Sequence, residues 1–224
     1  MKGDSPNCAK CPYPFSKRLC NTEDGKSLPS CPTSNKEELL EKSLKEYEKP
    51  QIFEFARLAS VQEGEGYGQK ELGPDQIRPV KPRILEIIEF AKKMNCKRLG
   101  LVFCEGLSKE AKVVEKLFSS KGFEVVSPSC KAGRTPKEQI GIRDDEKICS
   151  GCFEAMCNPI FQAFLLNDAK TEFNVLMGLC VGHDSLFFKY TEAPCTVLAV
   201  KDRLLGHNPL AAIHNIDSFY AYLK

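Results

Sequence analysis

The sequence predicts an α/β protein, a small doubly wound parallel sheet of about four strands preceded by a cysteine-rich and helical N-terminal extension. Past residue 95, short apolar runs alternate with segments of helical period, whereas before it the apolar spacing is helical or absent. Twelve cysteines in 224 residues, including two Cys-x-x-Cys pairs, raise the question of function.

Residues 1–33 contain Cys8, Cys11, Cys20 and Cys31, with Pro12 and Pro32 directly after cysteines and no helical or strand period. Such a segment has no hydrophobic core to fold around. Ser34 and Glu37 read as a capping box that opens a helix with Leu40, Leu44 and Tyr47 on one face. Pro50 suits a first helical turn and starts a second helix through Ile52, Phe55, Ala56 and Ala59. A glycine-rich loop at 64–73 separates it from a third helix beginning near Pro82, with Leu85, Ile88 and Ala91 spaced for burial. These elements make a first domain of residues 1–95, and residues 96–224 make the second.

In the second domain, residues 99–103 read as a strand and 108–118 as an amphipathic helix ended by Gly122, with a second strand at 123–126. Asn158 and Pro159 start a helix at 160–169, and 173–179 is the third strand. A helix at 182–190 leads to a fourth strand at 196–200. Strands joined by helices imply right-handed crossovers and a Rossmann-like parallel sheet.

The net charge of +2 gives no basic footprint for nucleic acid. No apolar run approaches the roughly 18 residues of a membrane span, and residues 1–14 lack the apolar core of a signal peptide. The expectation is a cytoplasmic protein with neither nucleic acid nor membrane as partner. In a reducing compartment, clustered thiols point to metal binding or redox chemistry before disulfides.

Topology sorts the cysteines. Cys96 precedes the first strand and Cys195 opens the fourth, so both belong at the amino edge as small core residues. Cys104, Cys130 and Cys180 fall at or beyond strand carboxyl ends, and Cys157 precedes a helix that starts on the same edge. Ligands bind at that edge in open α/β sheets, and helix N-termini there favour thiolates and anions. These four are candidate ligands of one cluster. The N-terminal set, spaced Cys-x2-Cys-x8-Cys-x10-Cys, is a separate four-cysteine metal site whose folding depends on its metal. Cys149 and Cys152 are further candidate metal ligands, for the edge cluster or a third metal, or else a redox dithiol.

His183 and Asp184 follow the third strand and His207 follows the fourth, so these three are the candidate catalytic residues, with either imidazole placed to ligate metal or move a proton near a bound substrate. His214 has no such placement. Lys131, Arg134 and Lys189 are candidates for added positive charge. The Gly64-x-Gly66-x-Gly68 run follows no strand and lacks the dinucleotide spacing.

The segments Leu101-Val102-Phe103-Cys104, Glu138-Gln139-Ile140-Gly141, Met156-Cys157-Asn158-Pro159, Gly178-Leu179-Cys180-Val181-Gly182-His183-Asp184, Lys201-Asp202-Arg203 and Gly206-His207-Asn208-Pro209 resemble a bacterial and archaeal family of cysteine-rich proteins of unknown function. Its members are often labelled metal-binding, and the resemblance implies a metal without implying a reaction. The expected cofactor is an iron–sulfur cluster, [4Fe-4S] in type, with zinc as the alternative. The expected function is redox or sulfur handling at the sheet edge, with a small anionic or sulfur-containing ligand and a redox partner protein. The alternative is a zinc-stabilised binding module.

Overall fold

The computed structural model describes residues 5–224, which fall into two compact units, Met1–Glu63 and Gly64–Lys224. The first holds α1 (Pro32–Asn35), α2 (Glu37–Tyr47) and most of α3 (Pro50–Glu65). Ahead of α1, paired backbone bonds from Leu19 N–H to the Lys26 carbonyl and from Lys26 N–H to the Lys17 carbonyl close a turn. None of residues 5–61 is buried, and Leu40, Leu44 and Tyr47 of α2 remain about half exposed.

The expected Ser34–Glu37 capping box is not formed. Pro32 pre-sets its own helical turn right after Cys31, so Ser34 lies within α1, where its hydroxyl donates to the Cys31 carbonyl at 3.2 Å. Lys36 takes the N-cap position of α2 instead.

The second unit opens with a two-residue antiparallel pair, β1 (Tyr67–Gly68) and β2 (Arg78–Pro79), where the sequence suggests only a glycine-rich loop. There follow α4 (Arg83–Lys93), β3 (Arg98–Phe103), α5 (Ser108–Ser120), β4 (Glu124–Val126), α6 (Pro159–Asp168), β5 (Phe173–Met177), α7 (His183–Tyr190), β6 (Cys195–Ala199) and α8 (Leu210–His214). The last four strands form one parallel sheet in the order β4-β3-β5-β6, which bears out the α/β, Rossmann-like class and all four anticipated strands. Residues 64–95 belong to the same compact unit as the sheet. Phe90 of α4 meets Phe173 of β5 edge-on, with ring centroids 5.5 Å apart. Arg83 donates to the Val197 carbonyl at 2.5 Å and to Thr196 Oγ1 at 2.8 Å, occupying acceptors on the edge strand β6.

Alternate residues of a strand face opposite sides of the sheet. Val102 of β3 and Leu176 of β5 share a core with Ala163 and Leu166 of α6 and Phe187 of α7, and Cys104 and Cys130 join it. Gly100 faces the same way, and a Cβ there would stand 2.1 Å from Asn174 Oδ1 and 2.5 Å from Leu166 Cδ1. Only glycine admits both neighbours. Asn174 is buried but satisfied, accepting from Thr171 Oγ1 and donating to Thr191 Oγ1, each at 2.8 Å.

Leaving β3, the chain builds β4 on one flank and then crosses to build β5 and β6 on the other. The order therefore reverses between β3 and β5, and the crevice outside their carboxyl ends is where such sheets bind ligands. Among the described residues, no helix is long and apolar enough to cross a membrane.

Candidate functional site: thiols at the switch point

Cys104 and Cys180 follow the two strands that flank the reversal, β3 and β5. The Cys104 N–H donates to the Met177 carbonyl at 3.2 Å, so β3 remains tied to β5 up to the first thiol. The segment after β4 bends back, and the Cys130 N–H donates to the Phe103 carbonyl at 3.0 Å. Cys130 in turn accepts from Asn158 N–H at 2.8 Å through its carbonyl, which sets Cys157 beside it. Asn158 is the N-cap of α6, its Oδ1 accepting from Phe161 N–H at 3.0 Å. Backbone bonds thus set Cys104 at a strand end, Cys130 in a turn and Cys157 before a helix start, and the Cys180 carbonyl accepts from His183 N–H at 2.9 Å as α7 begins.

The side chains meet. Cys130, fully inside, hydrogen-bonds both Cys104 and Cys157, and Cys157 also bonds His183 at the start of α7. Cys180 is close enough to feel both Cys104 and Cys157 electrostatically. Four thiols from four chain segments and one imidazole therefore occupy the crevice. Cys104 and Cys130 are buried, while Cys157 and Cys180 are partly so.

The charge pattern has identifiable causes. The bond from Cys130 holds Cys104 well below the ordinary thiol range, with the Gly106 N–H and Lys201 adding to it. Cys130 and then His183 do the same for Cys157, helped by Lys131. Cys130 itself is pushed far up by its hydrogen bonds to Cys104 and then Cys157, with burial adding to them. Burial raises Cys180, against the pull of Arg203, whose Nη2 donates to Cys180 Sγ at 2.8 Å. Cys157 raises His183, which favours the imidazolium. Glu105 N–H donates to Cys130 Sγ at 3.3 Å.

Three residues complete the site that the sequence alone does not single out. Buried Gln162 of α6 donates through Nε2 to the carbonyls of Phe103 at 3.2 Å and Pro128 at 2.9 Å, pinning together the segments that carry Cys104, Cys130 and Cys157. Lys201 and Arg203, just past β6, bring cations to Cys104 and Cys180. The signal for Gln162 is a lone amide within the apolar run Pro159-Ile160-Phe161-Gln162-Ala163-Phe164-Leu165-Leu166 that opens α6.

The other candidates have local roles. Asp184 Oδ1 accepts from Gly182 N–H and Ser185 N–H at 3.0 and 2.8 Å, fastening the start of its own helix. His207 Nδ1 accepts from Asp202 N–H at 3.1 Å, and the His207 N–H returns a bond to the Asp202 carbonyl at 2.8 Å, so the ring is held within its loop. Arg134 lies over the Phe153 ring and Lys189 over the Tyr190 ring. Cys96 is buried and Cys195 partly buried at the amino edge, where burial pushes both thiols up.

Cys8, Cys11, Cys20 and Cys31 line one cavity of about 150 Å³ in the first unit. Cys149 and Cys152 form a separate exposed pair whose charged neighbours are Glu154, Asp144 and Lys147. Among the described residues, no three His, Cys, Asp or Glu side chains are already set around one point as ligands of a single ion.

Residues 31–198 match the family described as "Protein of unknown function (DUF1847)". An uncharacterized protein of the archaeon Methanocaldococcus jannaschii is 40% identical over 207 residues, covering 92% of this chain and 93% of its own length. The chain belongs to this family of unknown function.

Proposed function

We propose that this family member is an iron–sulfur protein with a working cluster at the switch point. Cys104, Cys130, Cys157 and Cys180 would hold that cluster. The observation that carries the reading is the convergence of four thiols, from the ends of two strands, a turn and a helix start, on one crevice. A [4Fe-4S] cluster takes four cysteine thiolates, and this donor set is entirely of that kind. Structural zinc also takes four sulfur ligands, so metal and sulfide content separates the two.

When bound, such a cluster supplies one-electron transfer. The residues around it do the rest. Lys131, Lys201 and Arg203 offset the negative charge of thiolates and cluster, which favours ionised ligands at neutral pH. Gln162 fixes the relative positions of three ligand segments, as outer-shell partners of metal sites do. His183 hydrogen-bonds Cys157, and that contact favours the protonated ring.

The N-terminal set reads as a second, independent metal site. Its four thiols line one cavity in a unit where residues 5–61 lack a buried side chain, and bound metal then contributes folding free energy directly. Zinc or a second cluster satisfies the same four thiolates.

Protein purified without oxygen is expected to contain iron and acid-labile sulfide in comparable amounts and to show broad visible absorption that bleaches with dithionite. A colourless preparation carrying only zinc would overturn the iron–sulfur reading and leave the zinc-stabilised module in its place.

A further inference from the structure

Outside both four-thiol groups, Cys149 and Cys152 sit in a loop that is braced at each end. Their Sγ atoms are 2.6 Å apart, against about 2.05 Å for a covalent S–S bond. Glu154 accepts from the N–H groups of Ile148 at 3.0 Å and Cys149 at 3.5 Å, holding the first cysteine from behind. Lys147, with a side chain only 5% exposed, donates to the Cys152 carbonyl at 3.2 Å while paired with Glu138 and Asp144. Asp144 in turn accepts from Gly151 N–H at 2.8 Å, and Gly151 has φ +77°, a conformation that suits glycine. The loop turns the two sulfurs toward each other, and its carboxylates are engaged by Lys147, Lys137 and backbone N–H groups. Both cysteines are exposed, and the flanking Ile148 and Phe153 are 87% and 58% exposed.

We propose that Cys149 and Cys152 are a reversible dithiol–disulfide couple that exchanges with an external disulfide. The thiolate of one cysteine attacks a sulfur of the disulfide R–S–S–R. A protein–S–S–R bond forms, and RS⁻ leaves and takes up a proton. The second cysteine, losing its proton to solvent, attacks the protein sulfur of that mixed disulfide. The Cys149–Cys152 bond forms and the second RS⁻ leaves. The pair loses two electrons and two protons, and the external disulfide gains both to become two thiols. This couple does not depend on the edge cluster.

The test uses the full chain, purified without oxygen and equilibrated in buffers running from reduced to oxidised glutathione. The protein is then quenched with acid, alkylated with N-ethylmaleimide and mapped by peptide. The peptide carrying residues 149–152 is expected to pass from two adducts to none while bound metal stays constant. Cys149→Ser and Cys152→Ser should each retain wild-type metal content and accumulate one glutathione on the remaining sulfur. A parallel arm with an oxidised Cys-x-x-Cys protein shows whether a protein disulfide exchanges faster than the small one. Two adducts at every ratio in both arms would overturn the proposal, as would metal loss in either serine variant. The count is made on one peptide, so it reads the same whether the edge group holds iron, zinc or nothing.

Discussion

The two units each bring four cysteines together, and they do so by opposite means. In Met1–Glu63 the cysteines share a cavity, but the stretch that carries them has no buried residue to hold it. In Gly64–Lys224 the sheet, α6 and α7 form a packed core, and backbone bonds at strand ends, a turn and helix starts deliver the thiols to the crevice. On the proposed reading, bound metal would supply the first unit's structure, whereas in the second the packed sheet sets the thiols in place whether or not metal is bound. The same residue type therefore has different energetic standing in the two places.

The sharpest way to break this comparison is to remove metal from both units under reducing, oxygen-free conditions. Structural thiolate sites contribute on the order of 10 kcal/mol to the folding of small units. Hydrogen exchange should accordingly show the segment carrying Cys8 to Cys31 losing its protection, while β3, β5 and α6 retain theirs. Equal loss of protection in the two units would end the distinction.

Gly100→Ala attacks the second unit alone, by forcing a methyl group against Asn174 and Leu166. Overpacking of this kind costs about 1–3 kcal/mol. Chemical denaturation should show the sheet unit weakened by that amount, with N-terminal metal content unchanged. If the variant matched the wild type, the packing of β3 against α6 would be misplaced.

A smaller effect concerns the metal-free edge. Cys104 and Cys157 have folded pKa values depressed chiefly by Cys130, so they stabilise the fold above the ordinary thiol value of about 8.5. That contribution declines as pH falls from there toward their folded values. Cys130 is shifted upward and acts with the opposite sign above the ordinary value. Stability of the metal-free sheet unit should therefore peak near the ordinary thiol pKa, and Cys157→Ser should flatten the acid limb. An unchanged acid limb in that variant would dissociate the thiolates from folding.

Much of this site can be read from the sequence, because strand ends are set by local patterning. Apolar runs place β3 and β5, and Cys104 and Cys180 follow by position. Asn158-Pro159 marks the helix start that carries Cys157. What the sequence does not disclose depends on contacts between distant segments. Gln162 acts through carbonyls 59 and 34 residues away, and Lys201 and Arg203 gain their role only once β6 lies beside β5. The loss of the Ser34 cap is a local competition, won by Pro32. His207 on a loop and Asp184 in the first turn of α7 both belong to the predicted edge, yet their hydrogen bonds tie them to their own turns, a distinction that position along a strand cannot make.

The central claim is that the sheet edge, by its topology, holds an iron–sulfur cluster independently of the N-terminal set. Mössbauer spectroscopy of iron-57-labelled protein, prepared without oxygen, tests this most directly when the wild type is compared with Cys104→Ser, Cys180→Ser, Cys96→Ser and Cys195→Ser. The account predicts that the first two variants lose or alter one cluster component and leave the remainder of the metal in place, whereas the two amino-edge variants match the wild type. Equal spectra in all five proteins, or the absence of cluster iron from the wild type, would contradict it.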